Sequence, residues 1–440
     1  MKKIALCLVI LLLASPVTYA DPLEYLGFDP VGSYDLGGNT VTIISWTGAR
    51  MQQYFDSFIP VMDRIEEAER YFNCKIEFMQ TSNVPRLNMI RVMAGDSTYD
   101  LWHVQNKIGY FELVSEGAAL PMSDILPVEY YENLPPTLRM TEEALQFGGK
   151  YYGIGTMDHN PTYGFQNDLI FVAYNKSLLD REGIEDIYEL YLYDEWTWDK
   201  VTEIGRKVTR DIDGDGEIDQ YGIADVRPWD LAIANDASLT KIGADGRVVY
   251  AGDEPAYIEA IDQYLAWWHD DQIAFPTRNN QDSYSKFVNG EAGFFFYVPV
   301  FRLPDLMADM TDEWGIVPFP MGPGATDYRY PSQALSTTLI PVNASQPEAL
   351  AALRAFLWRE EDISTNTVLA SVVSNRESAQ VFVEAHEYWN GSASRLYEIP
   401  TWDATSVINY EILEGEIGPT AGMAKVRPII QAKLDELLSQ

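Results

Sequence analysis

The sequence predicts an α/β protein. Three observations carry that prediction. Alternating, β-branched stretches recur along the chain. The first three of them are separated by stretches with helical periodicity, giving strand–helix–strand–helix–strand. The 440 residues are 47% hydrophobic and 13% aromatic, enough for more than one packed core.

Taken in order, NTVTIISW (Asn39–Trp46) alternates and reads as the first strand. QQYFDSFIPVMDRIEEAER is helical, NCKIEFMQ is a second strand, and VPRLNMIRVMAG is a short helix ending at Gly95. YDLWHV is a third strand, whose end is expected at Trp102 and His103. A short helix, KIGYFELVSEG, and the turn LPMSDIL follow. GGKYYGIGT and DLIFVAYNK read as extended segments, separated by the polar, aromatic MDHNPTYGFQN. That connector has the character of a crossing between two lobes. KSLLDREGI and YDEWTWDKVTEIGRKVTRD are helical, with Thr197 placed to cap the second of these helices. PAYIEAIDQYLAWWHDDQ is a helix, and its Trp267 and Trp268 read as packing residues. YSKFVNGEAGFFFYVPV is a helix, a glycine break and a strand. EWGIVPFP is a strand entering a turn, and ALSTTLIPVNASQPEALAALRAFLWRE is a strand followed by a long helix. The remainder is largely helical, and no repeat period is present.

The chain starts MKKIALCLVILLLASPVTYA. A basic pair, an apolar run too short to span a bilayer and a small-residue end make residues 1–20 read as a secretory signal peptide. Residues 21–38, rich in Gly, Pro and Asp, read as an exported leader segment. Cys7 lies early in the apolar run, the wrong place for a lipid-accepting cysteine. Beyond the signal only Cys74 remains, so no intrachain disulfide is expected, and Cys74 reads as buried filler. The formal charge of −35 repels phosphate backbones, and basic clusters are absent. Nucleic-acid binding is therefore not expected, and a neutral or cationic ligand is favoured.

DIDGDGEIDQYG (Asp211–Gly222) has the spacing of a calcium loop. Asp211, Asp213 and Asp215 take positions 1, 3 and 5, and Gly216 takes the sharp turn at position 6. Glu217 offers its backbone carbonyl and Asp219 stands at position 9. Position 12 is Gly222, so the bidentate glutamate of a sensor is missing. The expectation is a structural Ca2+ that stiffens the loop, with a metal-free acidic turn as the alternative.

VAYNKSLLDREGI followed by WTWDKVTEIGRKVTRDIDGDGEIDQYGI resembles the family 1 extracellular solute-binding proteins. These are the substrate-capturing components of carbohydrate ABC importers. The matching features are Asn175-Lys176 after a strand, Thr197-Trp198-Asp199 at a helix start, and Asp219-Gln220-Tyr221-Gly222 closing the acidic loop. FVNGEAGFFFYVPV and WGIVPFPMGPG agree, although Phe294 and Phe295 stand where smaller residues or methionine are usual.

The resemblance implies a periplasmic-binding-protein-like bilobal clamp of two α/β lobes joined by crossing segments near 156–168, 328–336 and 372–380. Lobe 1 would comprise 39–157 with 334–374, and lobe 2 would comprise 158–333 with 375–440. Ligands of open α/β lobes lie beyond the carboxyl ends of strands. That rule and the resemblance together nominate Trp46, Trp102, His103 and Asn106 in the first lobe. They nominate Asp158 and Tyr163 in the crossing, and Trp229, Tyr297 and Trp402 beyond it. Aromatic faces stack on sugar C–H faces, while amides and carboxylates take directional bonds to hydroxyls. The implied function is extracytoplasmic binding of a sugar or oligosaccharide, without catalysis, by a periplasmic monomer that delivers it to membrane permease subunits. A sugar-sensing protein for a membrane receptor is one alternative. A secreted glycoside hydrolase is another, and would need two carboxylates facing one linkage. No nucleophile elbow or zinc-binding histidine pair supports that second alternative.

Overall fold

The computed structural model describes residues 21, 23–46, 59–81, 83–95, 98–106, 109–134, 145–154, 169–243, 248–277, 279–331, 335–358, 369, 372–388, 404 and 406–438. Those residues carry ten strands: β1 (Asn39–Ser45), β2 (Cys74–Gln80), β3 (Asp100–Gln105), β4 (Ile170–Asn175), β5 (Tyr221–Ile223), β6 (Thr240–Ile242), β7 (Val248–Tyr250), β8 (Ala292–Pro299), β9 (Trp314–Val317) and β10 (Ser336–Leu339).

Ten strands form two four-stranded sheets and a small hairpin. The first sheet has the order β10-β3-β1-β2, and the second β5-β8-β4-β9. In the first, β1 runs parallel to β2 and β3, while β10 returns antiparallel to β3. Parallel neighbours need a crossover, and the helices Ile59–Tyr71 and Val84–Ala94 supply it. Val84–Ala94 starts on Asn83, whose side chain accepts the Arg86 N–H, and stops at Gly95 with φ 76°. Arg91 then holds Asp100 at the start of β3 through two bonds of 2.6 and 2.8 Å.

The second sheet has β8 at its centre, buried along all eight residues. Phe294 and Phe295, the sequence's departure from the family pattern, are filled cores rather than gaps. Phe294 meets Trp196 at 5.2 Å between ring centroids, and Phe295 stacks on Phe287 at 5.7 Å. Asn175 earns its place at the end of β4 in two ways. Its side chain caps the helix Lys176–Arg181 by accepting the Leu178 N–H, and its amide donates to Asp312. Thr197 caps the helix Trp198–Val208 as expected, accepting the Lys200 N–H. Trp267 is fully buried and donates to Thr202 across two helices, so it is a packing residue. Near the chain's end, the helix Arg376–Tyr388 packs on β9, and Phe382 stacks on Phe171 of β4. Cys74 is buried, and burial pushes its thiol up to about 11.

Two sequence expectations are corrected. Residues 21–38, read as an exported leader segment, pack into the core of the fold. Leu23 and Leu36 are fully buried and Phe28 nearly so, in the same core as Val41 and Leu350. The Asp21 carboxylate organises the segment by accepting the N–H groups of Leu23, Glu24 and Val31. Tyr25 and Asn133 exchange side-chain-to-carbonyl bonds that tie it to the helix Val128–Asn133. Within GGKYYGIGT, Lys150 and Ile154 make isolated bridges to Phe147 and Thr338. Finally, β3 continues beyond Trp102 and His103 to Gln105, because β10 pairs with it as far as Gln105. The expected first crossing, 156–168, lies outside the described residues.

Leu23→Ala is expected to destabilise the protein by about 2–4 kcal/mol, the usual cost of emptying a filled core position. Denaturant unfolding measures it. A change within about 0.5 kcal/mol would show that residues 21–38 contribute nothing to the core.

Candidate functional site

The carboxyl ends of β1, β2 and β3 form one edge of the first sheet. Trp46 and Thr81 lie there, and the Thr81 N–H donates to the Ser45 carbonyl, continuing the ladder one step past the strands. Asn106 completes the edge. In the second sheet β5, β8 and β9 share one direction and β4 opposes it. Their common edge therefore holds Asp225 after β5, Tyr297 to Pro299 at the end of β8, and Ile170 at the start of β4.

A short link joins a strand end of one sheet to a strand end of the other. The Asn106 N–H donates to the Leu335 carbonyl, and the Asn106 side-chain oxygen accepts the Leu335 N–H in return. The Ile170 N–H donates to the Pro331 carbonyl. Four peptide steps separate Pro331 from Leu335, and they span at most about 14 Å. The edge of the first sheet is thus tethered within a small ligand's length of the edge of the second.

The first wall consists mainly of tryptophan and amide. Trp46 is half-buried, and its indole N–H is shielded with no acceptor. Trp102 lies inside β3, level with Ile44 and Leu339, and is 0% exposed. Its indole N–H is also without an acceptor, a cost of about 1–3 kcal/mol. His103 pairs with Thr338 on the other neighbour of β3 and is buried. The strand end expected at Trp102–His103 therefore falls at Gln105–Asn106. Trp102 and His103 are buried within the strand, as Asn106 is just beyond it. Asn106 is at the edge, with its side-chain oxygen engaged on Leu335.

The second wall carries charge. Tyr297 is buried on β8, and the Arg227 guanidinium lies over its ring at 3.3 Å from the centroid. Arg227 also donates to Asn280 at 2.8 Å, and stands 3.9 Å from Asp225. Arg302, just after β8, lies over the Tyr284 ring at 5.1 Å, and its buried Nε–H has no acceptor. Trp229 and Asp230 follow at the start of the helix Pro228–Ala234, Trp229 half-buried and Asp230 buried. Burial pushes the Asp225 carboxyl up to about 6, Asp230 adds to the rise, and Arg227 and Arg302 oppose it. Asp158, Tyr163 and Trp402 lie outside the described residues. Sequence reasoning found Trp46, Asn106, Trp229 and Tyr297 at the two edges. It missed Asp225, Arg227, Asn280 and Arg302. Asp225 and Arg227 directly follow a three-residue strand, and that position was the available signal.

The acidic loop occupies the opposite end of β5. Arg210 and Gln220 bridge its neck, and Tyr221 begins the strand immediately after. Oxygens of Asp211, Asp213 and Asp215 lie within 4.8 Å of one another. The Gly216 and Gly214 N–H groups donate to Asp211 and hold its carboxyl below the ordinary range. Asp215 accepts the Glu217 N–H, and Asp219 accepts the Ile212 N–H. Gly214 and Gly216 have φ of 80° and 97°, where glycine costs least. An all-oxygen donor set of this size fits a hard cation. Gly222, where a sensor would have glutamate, has its own reason. A Cβ there would stand 2.6 Å from the Gly205 Cα of the packed helix.

The model of the bacterial extracellular solute-binding proteins matches residues 60–361, and the chain belongs to that family. No curated protein matches it by sequence. Several solved structures share the fold, a bilobal one. The maltose/maltodextrin-binding domain MalE of Bdellovibrio bacteriovorus, bound to maltotriose, is 16% identical, with a TM-score of 0.60 over 91% of this chain and 99% of that one. The ABC substrate-binding protein Lmo0181 of Listeria monocytogenes, in complex with cycloalternan, is 14% identical, with a TM-score of 0.60 over 91% and 99%. UgpB of Mycobacterium tuberculosis, in complex with glycerophosphocholine, is 15% identical, with a TM-score of 0.61 over 92% and 99%.

The raised carboxyl of Asp225 has a stability consequence. A folded-state value of about 6 against an ordinary 3.8 favours the folded protein fully below pH 3.8, and that contribution is lost as pH rises through 6. Asp225→Asn escapes the loss. Its stability relative to wild type is expected to rise between pH 4 and 6, by up to about 3 kcal/mol, and then level off. Unfolding curves at several pH values read it, and a flat difference would refute the burial argument.

Proposed function

We propose that this extracellular solute-binding protein captures a sugar or oligosaccharide in the periplasm and delivers it to the permease subunits of an ABC importer, without chemistry of its own. The observation that carries this reading is the pairing of the two sheet edges. One offers indole and amide groups, and the other offers two carboxylates and two guanidinium groups on aromatic rings. Two carboxylates balance two guanidiniums, so a neutral ligand rich in hydroxyls suits the wall better than a strongly charged one. Directional donors and acceptors then penalise any ligand that leaves them unpaired. The solutes of the maltotriose- and cycloalternan-bound relatives support the sugar class. Residues 1–20 would act as the export signal, and the absence of a lipid-accepting cysteine supports a protein free in the periplasm. No helix among the described residues is long and apolar enough to cross a membrane. The lobe division expected from the sequence is carried forward here as part of the same proposal, with Asp158, Tyr163 and Trp402 as further contacts.

Glucose, maltose, maltotriose, trehalose and xylobiose form a first panel for thermal shift and tryptophan fluorescence. At least one is expected to raise the melting temperature and change the emission, with no sugar product released. Product release would instead assign a hydrolase, and a panel without any response would remove the sugar reading.

We also propose that the acidic loop holds a structural Ca2+ through Asp211, Asp213, Asp215 and Asp219, with the Glu217 carbonyl. The bound ion would neutralise carboxylates that otherwise repel one another. Because β5 separates the loop from Asp225, the ion would stiffen the lobe without touching the solute. Calcium at 100 times its dissociation constant is expected to stabilise metal-stripped protein by about 2.7 kcal/mol. Asp213→Asn with Asp215→Asn should abolish that gain and leave sugar affinity unchanged. Calorimetry showing no heat and no melting shift would refute the ion.

A further inference from the structure

Asp225 is a buried carboxylate that takes the Val226 N–H but has no close cation. Its side chain is 9% exposed, and its nearest cation, Arg227, is 3.9 Å away, at the outer limit of an ion pair. Arg227 is held there by other partners, the Tyr297 ring and Asn280. The charged groups facing Asp225 come from two elements. Arg227 is the N-cap of the helix Pro228–Ala234, which also carries Asp230, and Arg302 lies on the turn after β8. From the helix Asn280–Val288, the neutral groups Asn280 and Tyr284 hold the two arginines in place. A second carboxylate beside the first makes ionisation dearer still. Arg302 keeps an N–H with no acceptor beside this pair. A ligand hydroxyl satisfies both needs at once, because it donates to a carboxylate while accepting from a guanidinium.

We propose that Asp225 is a specificity-determining acceptor for a hydroxyl of the bound solute, and that it holds the solute only when ionised, so that solute capture is proton-linked. This rests on the solute-binding reading of the crevice. The sign follows from the burial of the group. Its carboxyl is pushed up to about 6, so it is ionised at pH 7.5 and largely protonated at pH 5. A protonated carboxyl loses its charge-assisted bond to the hydroxyl, and affinity falls as pH falls. One pH unit below the midpoint leaves about one part in eleven ionised, so the fall is about tenfold. By linkage, solute binding at pH 5.5 releases a proton.

The probe is the sugar of the panel that gives the largest melting shift, titrated by tryptophan fluorescence at pH 7.5, 6 and 5. Wild type is expected to lose about tenfold in affinity between pH 7.5 and 5. Asp225→Asn should bind about tenfold more weakly at pH 7.5 and show no further loss at pH 5. Asp225→Glu, which keeps a carboxyl, should retain the pH dependence and guards against a misfolded amide variant. Arg302→Gln should weaken binding at every pH and keep a pH dependence whose midpoint is moved up. If wild type and Asp225→Asn share one pH profile, or if affinity rises as pH falls, the proton linkage is wrong and solute binding still stands. If no sugar of the panel binds wild type, the sugar reading and this inference fall together.

Discussion

The crossing between Pro331 and Leu335 is the constraint on which the site depends. Each of its ends is tied by backbone bonds to a strand end, Ile170 in one sheet and Asn106 in the other. The foot in the second lobe is further packed, with Tyr330 edge-on to Phe171 and the Tyr328 hydroxyl accepting the Trp196 N–H. Burial and the neighbouring tyrosine and glutamate keep the Tyr191 phenol protonated against Glu384. Pro331 and Leu335 lie four peptide steps apart, so the two strand ends they hold are kept within a short reach of each other.

β5 divides the second lobe's chemistry. Only Tyr221, Gly222, Ile223 and Ala224 separate the neck of the acidic loop at Gln220 from Asp225. One end carries exposed carboxylates with the spacing of a hard-cation loop, and the other carries a buried carboxylate between two guanidinium groups. The strand can lie this close to the helix Trp198–Val208 because glycine meets glycine at Gly222 and Gly205. A glutamate at position 222 would gain a metal ligand and lose that packing. The missing sensor residue is thus a consequence of how the lobe closes.

Much of the fold was legible in the residues. Period-2 and period-3.6 patterns marked the strands and helices because burial of one face imposes those periods. Thr197, Asn175 and Gly95 act locally, through caps and a left-handed turn, so their roles could be read in place. Residues 21–38 were misread because their few apolar residues are spaced irregularly. Leu23, Phe28 and Leu36 are buried by distant partners that no local pattern announces. The end of β3 was misplaced for a similar reason, since β10, more than 230 residues later in sequence, extends the pairing to Gln105.

By itself the sequence determined the α/β class, the family motifs, the acidic loop and the four edge residues Trp46, Asn106, Trp229 and Tyr297. These follow from periodicity, turn chemistry and position relative to a strand, all of which act over a few residues. Only the tertiary structure decided that Trp102 and His103 are buried inside β3, and that Asp225, Arg227 and Arg302 come together at the edge of the second sheet. The physical reason is that burial and charge environment are sums over neighbours from separate parts of the chain. Asp225 meets Arg302 across 77 residues of sequence, and only the folding of β5 against β8 brings its carboxyl into the low-dielectric site that raises its proton affinity.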